Sequence, residues 1–291
     1  MREFRFDAPD GTSLVGFDNE GDGPPVMMVP GLATPPEGLP SLLRRDNGFH
    51  VVGFNMRGTH GSDRPTDETA IRVEDHAQDA MALMEHIGWD SALFAAWSLG
   101  VNIAFEVATS APERVTGILA IGGVPGDNFD HFFAPFGVPK QLSRPLVRSL
   151  YSIGRKVGSL AQPVVQNVEL KPEMAELASK AGVLAGGDAT EMVAFFDKHG
   201  KQDLGWVAEL ARAANKHHRL EIYNLTIPMA FIAGTDDYMT SAAAVIATAK
   251  EVPHASLDVV KGTHTLGIEH PELVLERLRD VARQAGYYSA D

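Results

Sequence analysis

The chain has 291 residues, is 44% hydrophobic and 22% charged, and carries a formal net charge of −13. This composition is typical of a globular protein with a sizeable core, and the acidity argues against nucleic acid or anionic membrane as the main partner. The absence of cysteine excludes disulfides and thiolate chemistry. The polar N-terminal segment, and the lack of an apolar run of about 18 residues, lead us to expect a soluble, cytoplasmic protein with no membrane span.

Strands and helices are predicted to alternate along the first part of the chain. EFRFD and SLVGFD flank the turn sequence APDGT and predict an antiparallel hairpin. Short apolar runs predict further strands in PPVMMVPG, FHVVGFNMRG, SALFAAW and VTGILAIGGVPG. Helical spacing is present in LGVNIAFEVATSAP and in RVEDHAQDAMALMEHIG, whose expected apolar face is Ala77, Ala80, Met81, Met84 and Ile87. Such alternation indicates a mostly parallel sheet with helices on both faces.

This alternation is interrupted between residues 126 and 220, where the pattern is mostly helical. Strand and helix resume in IPMAFIAGTDD, SAAAVIATAKEVP, ASLDVVKG and PELVLERLRDVARQAG. We therefore predict one α/β core formed by residues 1–125 and 221–291, with residues 126–220 as a helical insertion. Its phenylalanine-rich start, FDHFFAPFGVP, either packs the insertion onto the core or lines an apolar pocket.

The segment LFAAWSLGVNIAF places Ser98 at the junction of a predicted strand and a predicted helix. Small residues, Ala96 and Gly100, stand two positions before and two positions after it. This pattern predicts a nucleophile elbow, a sharp and strained turn that exposes the serine hydroxyl. A helix N-cap serine fits the same local pattern, so this segment by itself leaves both roles open.

Two later segments, each after a predicted strand, complete a recognisable order. FIAGTDDYMTS contains Gly234-x-x-Asp237, and VVKGTHTLGIEHPE contains His264. The order Ser, Asp, His is that of the α/β-hydrolases. FNMRGTHGSDRP also resembles the family segment FD-x-RG-x-G-x-S, with Asn55 in place of the common Asp. On these segments the chain resembles the α/β-hydrolase superfamily over nearly its whole length, and within it a serine carboxylesterase with a helical cap.

The resemblance implies an α/β-hydrolase fold, a mostly parallel central sheet flanked by helices with a helical cap insertion. It also implies a role for each residue of the triad. Ser98 is expected to be the nucleophile, His264 the base that takes its proton, and Asp237 the carboxylate that orients the imidazole. Asp236, its neighbour, and Asp127, after an earlier strand, are alternative acids.

The resemblance further implies an oxyanion hole of two backbone N–H groups. One belongs to Leu99 and the other to Leu32, with Ala33 as an alternative to Leu32. Trp97 either walls the acyl site or packs beneath the elbow. The candidates for substrate contacts in the acyl pocket are Trp97, Phe132, Phe133 and Phe136.

No metal or cofactor is expected from the sequence. It has no glycine-rich phosphate loop. The histidines that come nearest to suggesting a metal lack ligand spacing and are expected on a solvated lid surface: His131, His199, His217 and His218.

The function expected from these residues is hydrolysis of a carboxylic ester through an acyl-enzyme. The expected substrate is a small-molecule ester or lactone with an apolar, small- to medium-chain acyl group, and the expected state is a monomer or homodimer. Ser98 excludes the aspartate-nucleophile chemistry of haloalkane dehalogenases and epoxide hydrolases. Carbon–carbon bond hydrolases, cofactor-free haloperoxidases or perhydrolases, and slow receptor-type hydrolases keep the same triad and are the alternatives.

Overall fold

The computed structural model describes residues 1–127 and 187–288, together with residues 145, 146, 149 and 173. Several sequence predictions therefore lie outside the described residues, namely those for His131, Phe132, Phe133 and Phe136 and for most of the first part of the helical insertion. The boundaries of the cap, 126–220, accordingly stay a prediction.

The described part of the chain contains an eight-stranded sheet with the order β1-β2-β4-β3-β5-β6-β7-β8. Strand β1 pairs with β2 and β2 pairs with β4 in the antiparallel sense, and every other neighbouring pair is parallel. The strands are β1 (Arg2–Asp7), β2 (Ser13–Asp18), β3 (Pro25–Val29), β4 (His50–Phe54), β5 (Ala92–Trp97), β6 (Val115–Ile121), β7 (Met229–Gly234) and β8 (Ser256–Val260). The predicted N-terminal hairpin and the mostly parallel sheet are thus confirmed.

Helices cover both faces of the sheet, as the alternation of elements predicted. They are α1 (Pro40–Leu43), α2 (Val73–Ile87), α3 (Leu99–Ser110), α4 (Ala189–Gly200), α5 (Leu204–Ala214), α6 (Ala242–Lys250), α7 (Leu266–Glu269) and α8 (Pro271–Gln284). Short 3-10 turns lie at Pro36–Gly38 and Pro112–Arg114. No described helix has both the length and the apolarity needed to cross a bilayer.

Strand β5 illustrates why the sheet is covered on both sides. All six of its residues are buried, and successive side chains belong alternately to two apolar clusters. Phe94 and Ala96 pack in the cluster that contains residues of α2, α3 and α6. Leu93 and Trp97 pack in the cluster that contains residues of α1, α7 and α8. This alternation follows from the two-residue period of a strand, whose neighbouring side chains point to opposite faces.

Helices α4 and α5, which fall within the predicted insertion, pack against loops of the core. The indole Nε1 of Trp206 donates a hydrogen bond to the Arg57 carbonyl at 2.8 Å, and the guanidinium of Arg64 lies 4.4 Å from the Trp206 ring centroid. Lys198 of α4 forms an ion pair with Glu37 of the 3-10 turn after β3. These contacts place α4 and α5 against the loops that follow β3 and β4.

Candidate active site

The elbow between β5 and α3 holds Ser98 in a rare backbone conformation, with φ 55° and ψ −118°. A positive φ in a residue with a Cβ costs on the order of 1–3 kcal/mol and persists only where its surroundings fix it. Here the Ser98 amide donates to the Ile121 carbonyl at 2.9 Å. A Cβ added to Gly100 would lie 2.4 Å from the Val29 carbonyl oxygen. The small residue at that position therefore lets α3 approach β3, as the sequence pattern indicated.

The Ser98 side chain does not cap α3, which contradicts the N-cap interpretation of this segment. Its Oγ instead lies 2.7 Å from Nε2 of His264. Nδ1 of His264 lies 2.8 Å from Oδ2 of Asp237. Since a carboxylate only accepts hydrogen bonds, Nδ1–H donates to Asp237, and Nε2 of the neutral ring is left to accept from the serine hydroxyl.

Three strand ends bring these side chains together. Ser98 follows β5, Asp237 follows β7 and His264 follows β8, and these strands lie in one parallel array with β6. The carboxyl ends of parallel strands meet at one edge of the sheet, where ligands bind in open α/β sheets. The Asp237 side chain is fully buried, whereas 15% of the His264 side chain is exposed.

The carboxylate of Asp237 is held in place by hydrogen bonds on both of its oxygens. Its second oxygen, Oδ1, accepts the backbone N–H groups of Met239 and Thr240, each at 2.8 Å. Asp236 is half-buried, and its own amide donates to the Gly262 carbonyl. Asp127 lines a separate cavity beside α6. Among the three acids considered from the sequence, Asp237 is the one that the structure brings to His264.

The loop after β3 makes a tight turn beside Ser98. The Thr34 amide donates to the Gly31 carbonyl at 3.3 Å, and Ala33 has a positive φ of 50°. The turn is close to the elbow, because a Cβ built on Gly31 would lie 3.4 Å from the Ser98 Cβ. Neither the Leu32 nor the Leu99 amide donates to a backbone carbonyl among the described residues, and their role as oxyanion donors stays a prediction.

An apolar cavity of about 320 Å³ opens onto Ser98 and His264. Its remaining walls come from the turn after β3, from the end of β5, from α4 and α5, and from the loops after β7 and β8: Leu32, Thr34, Trp97, Phe195, Phe196, His199, Val207, Tyr238, Met239, Thr263 and Thr265. Trp97 both packs in the core and faces the cavity, and its role as a wall of an acyl site stays a prediction. Its ring is 2% exposed and packs in the core, it lines the cavity, and its Nε1 donates to the His264 carbonyl at 2.9 Å.

Two histidines beside the cavity were not predicted to have a role. Nε2 of His60 and Nδ1 of His199 each lie 2.9 Å from the Ala33 carbonyl oxygen. Burial lowers the pKa of both imidazoles, although the hydrogen bond to the Ala33 carbonyl acts in the opposite direction. His60 stands in the family-like segment RGTHGSD, which is the only sequence signal for it; we find no such signal for His199.

The expectation of a solvated surface for the lid histidines is wrong for two of them. His199 is half-buried at the cavity because α4 packs on the turn after β3. His217 is buried, with Nε2 3.1 Å from Oε2 of Glu106 on α3. His218 is exposed as expected. Within residues 1–127 and 187–288, no group of three or more His, Asp or Glu residues is arranged to hold a metal ion.

Comparison with known proteins gives one relative by sequence and many solved structures with a similar fold. A protein of Mycobacterium phage D29 named as a non-heme haloperoxidase is 24% identical over 266 residues, which are 90% of this chain and 88% of the relative. An esterase from Exiguobacterium antarcticum has a similar structure, with a TM-score of 0.74 at 16% identity over 97% of this chain and 100% of that one. The enol-lactonase from Burkholderia xenovorans LB400 gives a TM-score of 0.73 at 17% identity, covering 96% and 100% of the two chains.

The structural similarities, at this low identity, concern the fold. The assignment rests on the family model, which describes the alpha/beta hydrolase fold and matches residues 24–271. That range includes the elbow, the turn after β3 and the loops after β7 and β8. The chain therefore belongs to the α/β-hydrolase fold family, and this membership supports hydrolase activity.

Proposed function

We propose that the protein is a serine hydrolase that cleaves carboxylic esters, lactones included, through an acyl-enzyme on Ser98. The observation that carries the proposal is the chain of hydrogen bonds from Ser98 Oγ to His264 Nε2 at 2.7 Å and from His264 Nδ1 to Asp237 at 2.8 Å. A nucleophile, its base and a group that orients the base are the three parts that nucleophilic catalysis by serine requires.

The proposed reaction has two halves. Ser98 Oγ attacks the ester carbonyl carbon while its proton passes to Nε2 of His264, and the tetrahedral oxyanion accepts the N–H groups of Leu32 and Leu99. The carbon–oxygen bond to the alcohol then breaks, and the imidazolium gives its proton to the departing alkoxide. Water attacks the acyl-enzyme by the same route, which releases the carboxylic acid and restores the serine. Throughout, Asp237 keeps Nδ1 protonated and stabilises the imidazolium.

The apolar walls of the cavity support an apolar acyl or alcohol portion in the substrate. Phe195, Phe196 and Val207 face the same cavity as Ser98, and no lysine or arginine lines it among residues 1–127 and 187–288. A charged substrate would lose its hydration there without gaining a counter-ion. The structural similarity to an esterase and to an enol-lactonase is in keeping with an ester or its cyclic form.

The test is covalent labelling combined with turnover. A fluorophosphonate probe is expected to label Ser98, as located by peptide mass spectrometry, and the protein is expected to hydrolyse p-nitrophenyl butyrate. Ser98→Ala should lose both. As a matched control, Ser110→Ala changes a serine at the exposed end of α3, whose hydroxyl donates to the Glu106 carbonyl, and should lose neither. Labelling of another residue, or turnover that survives in Ser98→Ala, would contradict the proposal.

A second candidate is perhydrolysis, transfer of the acyl group from the acyl-enzyme to hydrogen peroxide rather than to water. The name of the phage relative, a non-heme haloperoxidase, favours it, because a peracid made in this way oxidises bromide without a cofactor. The two candidates share every step up to the acyl-enzyme. Ser98-dependent bromination of monochlorodimedone in acetate, peroxide and bromide would support perhydrolysis, and ester turnover without bromination would eliminate it.

A further inference from the structure

The Ala33 carbonyl is held by two imidazoles from different parts of the chain. His60 belongs to the loop after β4 and His199 to the C-terminal turn of α4. Each places a ring nitrogen 2.9 Å from the carbonyl oxygen. A carbonyl oxygen has two lone pairs and no proton, so both nitrogens must donate. This fixes His60 with a proton on Nε2 and His199 with a proton on Nδ1.

A glutamine fixes the tautomer of His60 from the other side. Gln202 accepts the His60 backbone N–H on Oε1 at 2.9 Å, and its Nε2 lies 3.1 Å from Nδ1 of His60. Because Oε1 of Gln202 accepts the backbone N–H, the Gln202 amide nitrogen is the atom that faces His60 Nδ1. This nitrogen donates, so Nδ1 carries a lone pair and no proton. Burial lowers the pKa of both imidazoles, which favours the neutral ring with a single N–H for the carbonyl.

The carbonyl that they hold belongs to the strained turn beside the nucleophile. Ala33 has a φ of 50° without being glycine, and such a conformation persists only where the surroundings impose it. The peptide unit between Ala33 and Thr34 is fixed at both of its polar ends. Its oxygen accepts from the two imidazoles, and its N–H donates to the Gly31 carbonyl at 3.3 Å.

We propose that His60 and His199 are positioning residues. They hold the Leu32–Ala33 turn in the conformation that directs the Leu32 N–H, the proposed oxyanion donor, toward Ser98. The inference rests on the proposed ester hydrolysis and adds to it residues that touch neither the reacting atoms nor the triad. It also makes the geometry of the oxyanion hole depend on α4, because that helix supplies His199, one of the two imidazoles that donate to the Ala33 carbonyl. Loss of the N–H of either His60 or His199 removes one of the two hydrogen bonds that hold the strained turn. The turn can then relax, which weakens stabilisation of the transition state.

The experiment replaces each imidazole by an apolar side chain that has no N–H to donate, in His199→Phe and His60→Leu. His199→Phe retains the stacking on Phe195, whose ring lies 5.7 Å from that of His199, but cannot donate. Removal of a whole oxyanion donor costs about 10²- to 10³-fold in kcat, so a displaced donor is expected to cost about 10- to 100-fold. KM for p-nitrophenyl butyrate should change less than about twofold in His60→Leu, because His60 is not among the described residues that line the cavity and the interaction is made in the transition state.

Rescue by conservative variants separates positioning from bulk packing. His199→Asn places an amide nitrogen near the position of Nδ1, and His60→Gln places one near Nε2, so each should recover most of the kcat lost in His199→Phe and His60→Leu. His254→Phe is the matched control, because His254 also bonds a backbone carbonyl, that of Ile227 at 3.0 Å, on an exposed surface away from the cavity. Its kcat should equal that of the unmodified protein.

The outcomes separate this inference from the proposed function. If the unmodified protein shows no Ser98-dependent turnover, the proposed function itself fails. If it turns over and both His199→Phe and His60→Leu retain its kcat, the positioning role is overturned. A loss that appears in KM alone, or that the amide variants do not rescue, also overturns it. If His199→Phe does not fold, as judged by circular dichroism, His60→Leu and its rescue by His60→Gln decide the question.

Discussion

Asp236 and Asp237 are adjacent in the chain and have the same chemistry, yet their surroundings differ completely. The Asp237 side chain is fully buried and accepts three hydrogen bonds, from His264 Nδ1 and from the amides of Met239 and Thr240. Asp236 is half-buried. A buried carboxylate without these donors would be costly, so the local backbone is arranged around Asp237.

We expect Asp237→Asn to lower kcat for p-nitrophenyl butyrate by about 10⁴-fold, the loss seen when an amide holds the catalytic imidazole in the wrong tautomer. The asparagine amide can donate to Nδ1, which moves the ring proton to Nε2 and removes the acceptor that Ser98 needs. Steady-state kinetics of the purified variant check this. Asp236→Asn is the matched control and should retain most of the activity. The reverse ranking would mean that the neighbouring carboxylate orients His264.

At the scale of elements, a buried ion pair joins the loop after β4 to α2. Nε and Nη2 of Arg57 donate to the two oxygens of Asp79 at 2.8 and 2.6 Å, and the side chains are 3% and 0% exposed. Burial by itself would lower the pKa of Arg57, but the hydrogen bonds and charges of Asp79 and Asp10 raise it above its usual value. The guanidinium is therefore charged at every pH at which the protein is folded.

We expect Arg57→Met to lower the free energy of unfolding by about 3–5 kcal/mol, because it leaves Asp79 buried without its partner. Replacement of both residues, in Arg57→Met/Asp79→Leu, should restore part of this loss, because an apolar pair of similar volume carries no buried charge. Urea unfolding monitored by circular dichroism measures both.

Arg44→Met provides the matched control for that comparison. It breaks an ion pair with Asp46 in which both side chains are more than half exposed, and it should leave the urea midpoint almost unchanged. A double variant less stable than Arg57→Met alone would show that the buried pair is not held chiefly by mutual charge compensation.

The burial of Asp79 in this ion pair could not be predicted from the sequence. The predicted apolar face of α2 included Met81 and Ile87, which are half-buried, and omitted His76 and Asp79, which are buried. Periodicity predicts helices from apolar residues and assigns charged ones to solvent. It cannot anticipate that Arg57, 22 positions away, neutralises Asp79.

In the candidate site too, features that depend on neighbouring residues in the chain could be predicted, whereas contacts between distant residues could not. The elbow at Ser98, the Gly-x-x-Asp turn and the loop of His264 are local motifs after strands, so the sequence was sufficient to propose them together. The contacts on the Ala33 carbonyl join residues separated by 27 and 166 positions. They depend on how α4 packs against the core, which no spacing in the sequence encodes.

At the scale of the whole molecule, the cavity is formed between two parts of the chain. The core contributes Ser98, His264 and Trp97, whereas α4 and α5 contribute Phe195, Phe196 and Val207. Under the proposed function, we expect the size of the substrate to depend on how these two helices rest on the sheet edge rather than on the triad. The helix pair is fastened to the core by polar contacts at its rim, among them the bond from Trp206 to the Arg57 carbonyl.

We expect the rates for p-nitrophenyl esters to rise from acetate to somewhat longer acyl chains and then to fall. Each methylene buried against the apolar walls contributes up to about 0.8 kcal/mol, or about fourfold in kcat/KM, until the cavity of about 320 Å³ is full. Val207→Ala enlarges the cavity and should move the optimum to a longer chain. Val259→Ala, at an exposed position of the edge strand β8, should leave the profile unchanged. A strictly acetate-preferring profile, or an optimum that Val207→Ala does not move, would show that the acyl chain binds elsewhere.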